Sequence, residues 1–266
     1  MNQSERRSYL IRELLKENRR YQQMQIPVSS SEQKQLLRSL MNVRYAAPIT
    51  EDFARVQDEY LIEANAEKGF VTVSDMDELQ PGLFLWQGDI TRIKCGAIVN
   101  AANSGMTGCY RPCHNCIDNS IHTYAGIQLR NYCTDLMEKQ GYEEPTGQAK
   151  ITPGFNLPCD HVIHTVGPIV DGRLTSYHEE LLRSCYDSCL KLADENHVES
   201  IAFCCISTGV FMFPNRRAAE IAVDTVKDYR QKTGSRLKVI FNVFKDTDLE
   251  IYRELLQETD HAHSQK

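Results

Sequence analysis

Cys109, Cys113, His114 and Cys116 fall within eight residues, in the run GCYRPCHNCID at 108–118. Thiolate sulfur and imidazole nitrogen are the donors that Zn2+ takes, at about 2.0–2.3 Å. Adjacent residues project differently, so Cys113 and His114 make an awkward pair of ligands. His114 and Cys116, two apart, point the same way in extended chain, and Cys109 can return across a turn at Pro112. This spacing predicts a metal set of Cys109, His114 and Cys116, whose open fourth position is the arrangement of a catalytic zinc. A closed site that also uses Cys113 is the structural alternative. The other seven of the ten cysteines lie scattered in apolar surroundings and read as small buried residues.

The same segment ends in an acid. Asp118 stands two residues past Cys116 and 15 past Asn103. A carboxylate so placed can orient or deprotonate a water, or cap a helix starting at 119, since Asp is a favoured cap. His122, one turn on, reads as a core or supporting histidine, and His161 and His164 as packing. Four further polar loops follow apolar runs: Trp86-Gln87-Gly88-Asp89-Ile90, Val99-Asn100-Ala101-Ala102-Asn103, Ser207-Thr208-Gly209-Val210-Phe211 and Phe244-Lys245-Asp246. Small residues such as those of the third can turn their N–H groups to a phosphate, and an aromatic such as Phe244 can stack on a base. Singly, an Asp is a cap, an Asn a turn former and a Gly a bend.

The elements that must position these residues alternate in type. β-rich runs occur at Phe70–Val73, Leu83–Gln87, Ala97–Asn100, Ala149–Thr152, Val162–Val166, Ile201–Ile206 and Val239–Phe244. Helical stretches lie between them, near 119–138, 177–196, 215–231 and 247–258. Alternation predicts an α/β domain whose largely parallel sheet is covered by helices. Ligands of such sheets settle at the carboxyl ends of the strands. Residues 1–66 read instead as three helices, with apolar stripes at Leu10, Ile11, Leu14 and Leu15, then Leu36, Leu37, Leu40 and Met41, then Phe53, Val56, Tyr60, Leu61 and Ala64. The serines at 29–31 and Thr50 are placed as caps.

Thirty Lys+Arg against 36 Asp+Glu leave a net charge of −6, the wrong sign for a protein that grips nucleic acid non-specifically. No apolar run approaches the ~20 residues of a membrane span. The opening MNQSERRSYLIRELLKENRR shows neither the apolar core nor the cleavage site of a secretory leader. These features predict a cytoplasmic protein with no nucleic-acid and no membrane partner.

Taken in order, the blocks Q-G-D-I-T, I-V-N-A-A-N, I-D-N-x-I-H, T-G-x-A-K-I-T-P-G, H-V-I-H-T-V-G-P and I-S-T-G-V-F closely resemble the macrodomain family, in particular its MacroD-type ADP-ribosyl hydrolases. The resemblance runs from about 83 to 258. It implies a three-layer α/β/α sandwich with a mixed, largely parallel sheet, here behind a helical N-terminal extension at 1–69, with the macrodomain at 70–262 and a tail at 263–266. It implies an ADP-ribose cleft in which Asp89 binds the adenine amino group, Ile90 contacts it through its backbone and Phe244 stacks on it. Asn103 would hold the distal ribose, Ser207, Thr208, Gly209, Val210 and Phe211 would cradle the diphosphate, and Asn103 and Asp118 would be the catalytic pair.

Two departures from the family pattern stand out. A glycine-rich loop before I-D-N-x-I-H is replaced by the Cys/His run, which resembles the zinc-containing subclass of macrodomains. Met212 stands where the phosphate loop usually repeats Gly, and is expected to crowd it. The activity implied is zinc-dependent removal of mono-ADP-ribose from modified protein side chains, linked through an acidic residue. Its partners are then ADP-ribose and mono-ADP-ribosylated protein. The alternative is a non-catalytic ADP-ribose-binding module with a structural zinc clip.

Overall fold

The computed structural model describes residues 1–257, so the expected tail at 263–266 and the end of the expected macrodomain, 258–262, lie outside the described residues. The chain opens with three helices, α1 (Gln3–Glu17), α2 (Ser30–Val43) and α3 (Glu51–Glu67). Each starts at a side chain that accepts an otherwise unpaired N–H: Asn2, Ser29 and Thr50. Leu10, Leu14, Leu37, Leu40, Val56 and Leu61 bury their stripes together, joined from outside the three helices by Ile127. At ~1.5–3 kcal/mol per fully buried aliphatic side chain, this cluster is the main reason the helices stay together. Amides dock them onto the rest of the chain. Asn65 Nδ2 donates to the Asn156 carbonyl at 2.7 Å, Asn42 Nδ2 to Thr123 Oγ1 at 2.9 Å, and the Ile127 N–H to Gln57 Oε1 at 3.0 Å.

After the helices come the strands β1 (Val71–Thr72), β2 (Asp77–Gln80), β3 (Leu83–Gln87), β4 (Ile93–Lys94) and β5 (Ala97–Ala102). The helices α4 (Ile117–Ala125) and α5 (Ile127–Gln140) lead to β6 (Ala149–Pro153) and β7 (His161–Val166). The chain closes with α6 (Ser176–Glu195), β8 (Ser200–Phe203), α7 (Asn215–Thr233), β9 (Lys238–Val243) and α8 (Asp246–Gln257). β1 and β4 form a small parallel pair, and the main sheet runs in the order β2-β3-β9-β8-β5-β7-β6. Its five inner strands are parallel, while β2 and β6 are antiparallel edges. Helices pack on the sheet, as the alternating pattern predicts, and give the α/β/α sandwich that the family resemblance implies. Inner strands buried on both faces explain the unbroken apolar runs, such as Ile201–Phe203.

Two local expectations change. The stretch read as a single helix near 119–138 is two, broken at Gly126 with φ +100°. A Cβ there would come within 2.9 Å of Gln57 Nε2 on α3, so the break accommodates the N-terminal helices. The run Ile201–Ile206 stays in the sheet only to Phe203, because its last residues turn out into the loop described below.

Candidate active site

Successive strands diverge to opposite sides of β5: β7 lies on one flank and β8 on the other. Such a switch leaves a crevice at the carboxyl ends. The loops after β3, β5, β8 and β9 line a cleft of about 1030 Å³, at the upper end of the ~300–1,000 Å³ of small-molecule sites. Asp89, Ile90, Asn103, Cys109, His114, Cys116, Asp118, Ser207, Thr208, Gly209, Val210, Phe211 and Phe244 all contribute to its wall. The residues expected to do chemistry therefore share one cavity.

At one end, Asp89 follows β3 and caps a short turn, with Oδ1 accepting from the Thr91 N–H at 3.0 Å and Thr91 Oγ1 at 2.7 Å. Its other oxygen is 3.5 Å from Lys68 Nζ, at the end of α3. Burial lowers the Lys68 ammonium to about 8, against the pull of Asp89. Phe244 leaves the end of β9 with 76% of its surface exposed, a ring with a free face.

The loop after β8 is shaped by its own backbone. Ser207 and Met212 both have φ in the left-handed region, +65° and +56°, and the Phe213 N–H closes onto the Ser207 carbonyl at 3.0 Å. A Cβ on Gly209 would meet no atom within 4 Å. No contact among the described residues requires glycine at that position, and the missing side chain leaves space over the loop for a ligand to approach its backbone. Met212 does not crowd the loop as expected: it is 61% exposed and is not part of the cleft wall.

At the other end lies Asp118, 4% exposed. It does not cap the helix; Cys116 does, its Sγ accepting from the Asn119 N–H at 3.4 Å. Asp118 sits in the first turn and turns inward. Asn100 Nδ2 donates to its Oδ1 at 2.8 Å, and Asn103 Nδ2 lies 3.4 Å from its Oδ2. Burial raises its carboxyl to about 6, opposed by the Asn100 bond and by Arg130. His122, below it with Nε2 3.5 Å from Asp118 Oδ1, has no hydrogen-bond partner among the described residues and seats the loop: a Cβ on Gly108 (φ +87°) would come within 2.8 Å of its ring.

The donor atoms of Cys109, His114 and Cys116 lie within 4.8 Å of one another, with Cys109 Sγ 3.7 Å from His114 Nδ1. A tetrahedral zinc with ordinary bond lengths separates sulfur and nitrogen by about 3.5 Å, so donor type and spacing both fit that ion. Cys113 stands apart. Its φ of +51° turns its thiol to Ser39 Oγ, 3.2 Å away on α2.

Sequence reasoning missed Arg38, Lys68, Asn119 and Arg130. Arg130, 5% exposed, donates to the carbonyls of Met41, Asn42 and Arg44 at 2.6–2.9 Å and to that of Thr107 at 2.7 Å. An arginine on a helix carries no local mark of such distant partners. A tyrosine pair at 5.2 Å, Tyr45 and Tyr110, covers the loop beside it.

Known proteins resemble this chain in sequence and in fold. Residues 99–222 match the Macro domain family model. A protein-ADP-ribose hydrolase of Treponema medium is 55% identical over 260 residues, 96% of this chain and 100% of that protein. Among solved structures, an Oceanobacillus iheyensis macrodomain with ADP is 37% identical with a TM-score of 0.62, covering 68% of this chain and 94% of that one. A Trypanosoma brucei macrodomain in complex with ADP-ribose is 27% identical with a TM-score of 0.64, covering 82% and 94%. With its sheet, cleft and nearly full-length relative in accord, the chain belongs to the macrodomain family, among its protein-ADP-ribose hydrolases.

Proposed function

We propose that the protein binds ADP-ribose carried on a modified protein and hydrolyses the bond between its distal ribose C1″ and an acidic side chain, releasing ADP-ribose. The observation that carries this reading is the buried Asp118, bonded to Asn100 and approached by Asn103, in the same cleft as the three-donor cluster. Asp89 and Ile90 take the adenine edge, Phe244 its face, the Ser207–Phe211 loop the diphosphate and Asn103 the distal ribose. A carboxyl near pKa 6 is ionised at neutral pH yet more basic than an ordinary carboxylate, which suits a general base. Asp118 takes a proton from water as the water oxygen bonds to C1″. The C1″–O bond to the modified side chain breaks, and the departing carboxylate, of pKa about 4, needs no acid to protonate it.

Cys109, His114 and Cys116 are the residues that would hold zinc. Bound there, zinc would supply positive charge able to polarise a neighbouring oxygen. Ten unpaired thiols suit a reducing compartment, and we place the protein in the cytoplasm. Among the described residues no helix is long and apolar enough to cross a membrane.

The test is ADP-ribose release from an acid-linked mono-ADP-ribosylated protein, before and after chelation, with metal content measured on the same preparation. Release that falls with the metal supports the reading. Undiminished release from stripped protein leaves the cluster a structural clip. Binding of ADP-ribose without any release leaves the protein a non-catalytic reader.

A further inference from the structure

The loop carrying the three donors has little backbone structure of its own. Among the described residues the one backbone bond formed within 108–116 joins the His114 N–H to the Arg111 carbonyl at 3.2 Å. Side chains hold the rest. Asn119, fully buried, donates from Nδ2 to the Arg111 carbonyl at 2.9 Å and to the Cys109 carbonyl at 3.5 Å. Its Oδ1 accepts from Arg38 Nη2 at 2.8 Å and Nε at 3.2 Å, and the same Nη2 donates to the His114 carbonyl at 2.9 Å. On the next turn of α2, Asn42 Oδ1 accepts the Cys113 N–H at 2.9 Å. The backbone of two of the three donor residues is thereby tied, directly or through Asn119, to a helix more than 70 positions earlier.

We infer that Arg38 is a positioning residue for the metal loop: α2 presents its planar fork so that the Cys109, His114 and Cys116 donors are gathered before an ion arrives. A loop left free would lose its conformational entropy on closing around the ion, and that cost would weaken binding. Arginine suits the task because one rigid guanidinium spans both the His114 carbonyl and the Asn119 amide, which a point-like ammonium cannot do equally well. It follows that the N-terminal helices form part of the active site. This inference rests on the zinc reading given above.

The experiment compares full-length wild type, Arg38→Gln, Arg38→Lys and Arg6→Ala. Arg6 pairs with Glu59 at 3.0 Å and Glu63 at 2.7 Å inside the helical layer, away from the loop, and controls for general loosening of the helices. Zinc affinity is read by competition with a chromophoric chelator, and ADP-ribose affinity by calorimetry on metal-free protein. Arg38→Gln is expected to lose about 10–100-fold in zinc affinity, the usual effect of removing a partner behind the ligands, a larger factor than any change in the ADP-ribose affinity of the metal-free protein. Arg38→Lys should fall between Arg38→Gln and wild type, and Arg6→Ala should match wild type. Equal zinc affinity in wild type and both Arg38 variants overturns the inference, as does an equal loss in Arg6→Ala. Wild type that takes up no zinc overturns the zinc reading and this inference together, whereas a failure confined to the variants overturns this inference alone. If Arg38→Gln does not fold, Arg38→Lys decides.

Discussion

The two ends of the cleft are built differently. Asp89, the Ser207–Phe211 loop and Phe244 sit at strand ends and are shaped mainly by neighbours in the chain: Thr91 beside Asp89, and Ser207 closing onto Phe213. Asp118 is held by Asn100 on β5 and approached by Asn103 just after it, and the donor loop is held by side chains far away in sequence, from Arg38 and Asn42 on α2 and from Arg130 on α5. The nucleotide end needs a surface of exposed N–H groups and one ring, which a well-formed sheet provides by ending. The reacting end needs a buried carboxyl and three convergent donors, and burial of polar groups demands partners on every side. A grip can be local, whereas chemistry here requires a surrounding shell.

That contrast can be broken experimentally. The largest expected effect is that of Asp118→Asn, a loss of ~10²–10⁴ in the rate of ADP-ribose release with ADP-ribose affinity unchanged. A parallel fall in affinity would show that the two ends do not act separately. Next comes Arg130→Met, which strands several buried carbonyls. At ~1–3 kcal/mol per unsatisfied group, it should lower the thermal midpoint clearly, and an unchanged midpoint would deny that this arginine pins the helical layer to the donor loop. Phe244→Ala should weaken ADP-ribose binding by roughly 10-fold, since base–aromatic stacking contributes ~1–3 kcal/mol. The turnover of saturated enzyme should stay near wild type, and a fall confined to turnover would contradict the separation.

The smallest expected effect is on acid stability. His164 lies in the core between Asn100 and Thr152, at 3.1 and 3.0 Å, and burial lowers its pKa to about 3; His122 is held well below its usual value by burial, His164 and Arg130. The unfolded chain takes up these protons near pH 6.5 and the folded chain does not. Their contribution to stability is therefore fully present above that pH and declines below it, offset in part by Asp118, whose raised carboxyl is protonated in the folded chain before it is in the unfolded one. Melting temperature should fall between pH 7 and 5, and less so in His164→Asn. A slope unaltered by that variant would place the acid sensitivity elsewhere.

The β-strands were legible wherever four or more apolar residues stood together, as at Leu83–Gln87, observed with the same bounds. β2 was not, because its residues Asp77–Gln80 form an edge with polar character and no apolar alternation. The break at Gly126 escaped notice because apolar positions continue through it, and the reason for it, Gln57, comes from another layer. A cap at Asp118 was a fair expectation from residue preference, yet Cys116 takes that place and frees the carboxyl to turn inward.

From the residues alone came the donor types, their close spacing, the polar loops at the ends of apolar runs and the charge balance, since these depend on composition and near neighbours. Tertiary structure decided which way each group faces. Cys113 looks to Ser39 while its neighbour His114 joins Cys109, because Asn42 holds the Cys113 N–H and a left-handed turn carries its thiol outward. Preferences along the chain extend over a few residues, and the partners that orient this loop lie some 20 to 80 positions away in it, brought close only when the helices dock.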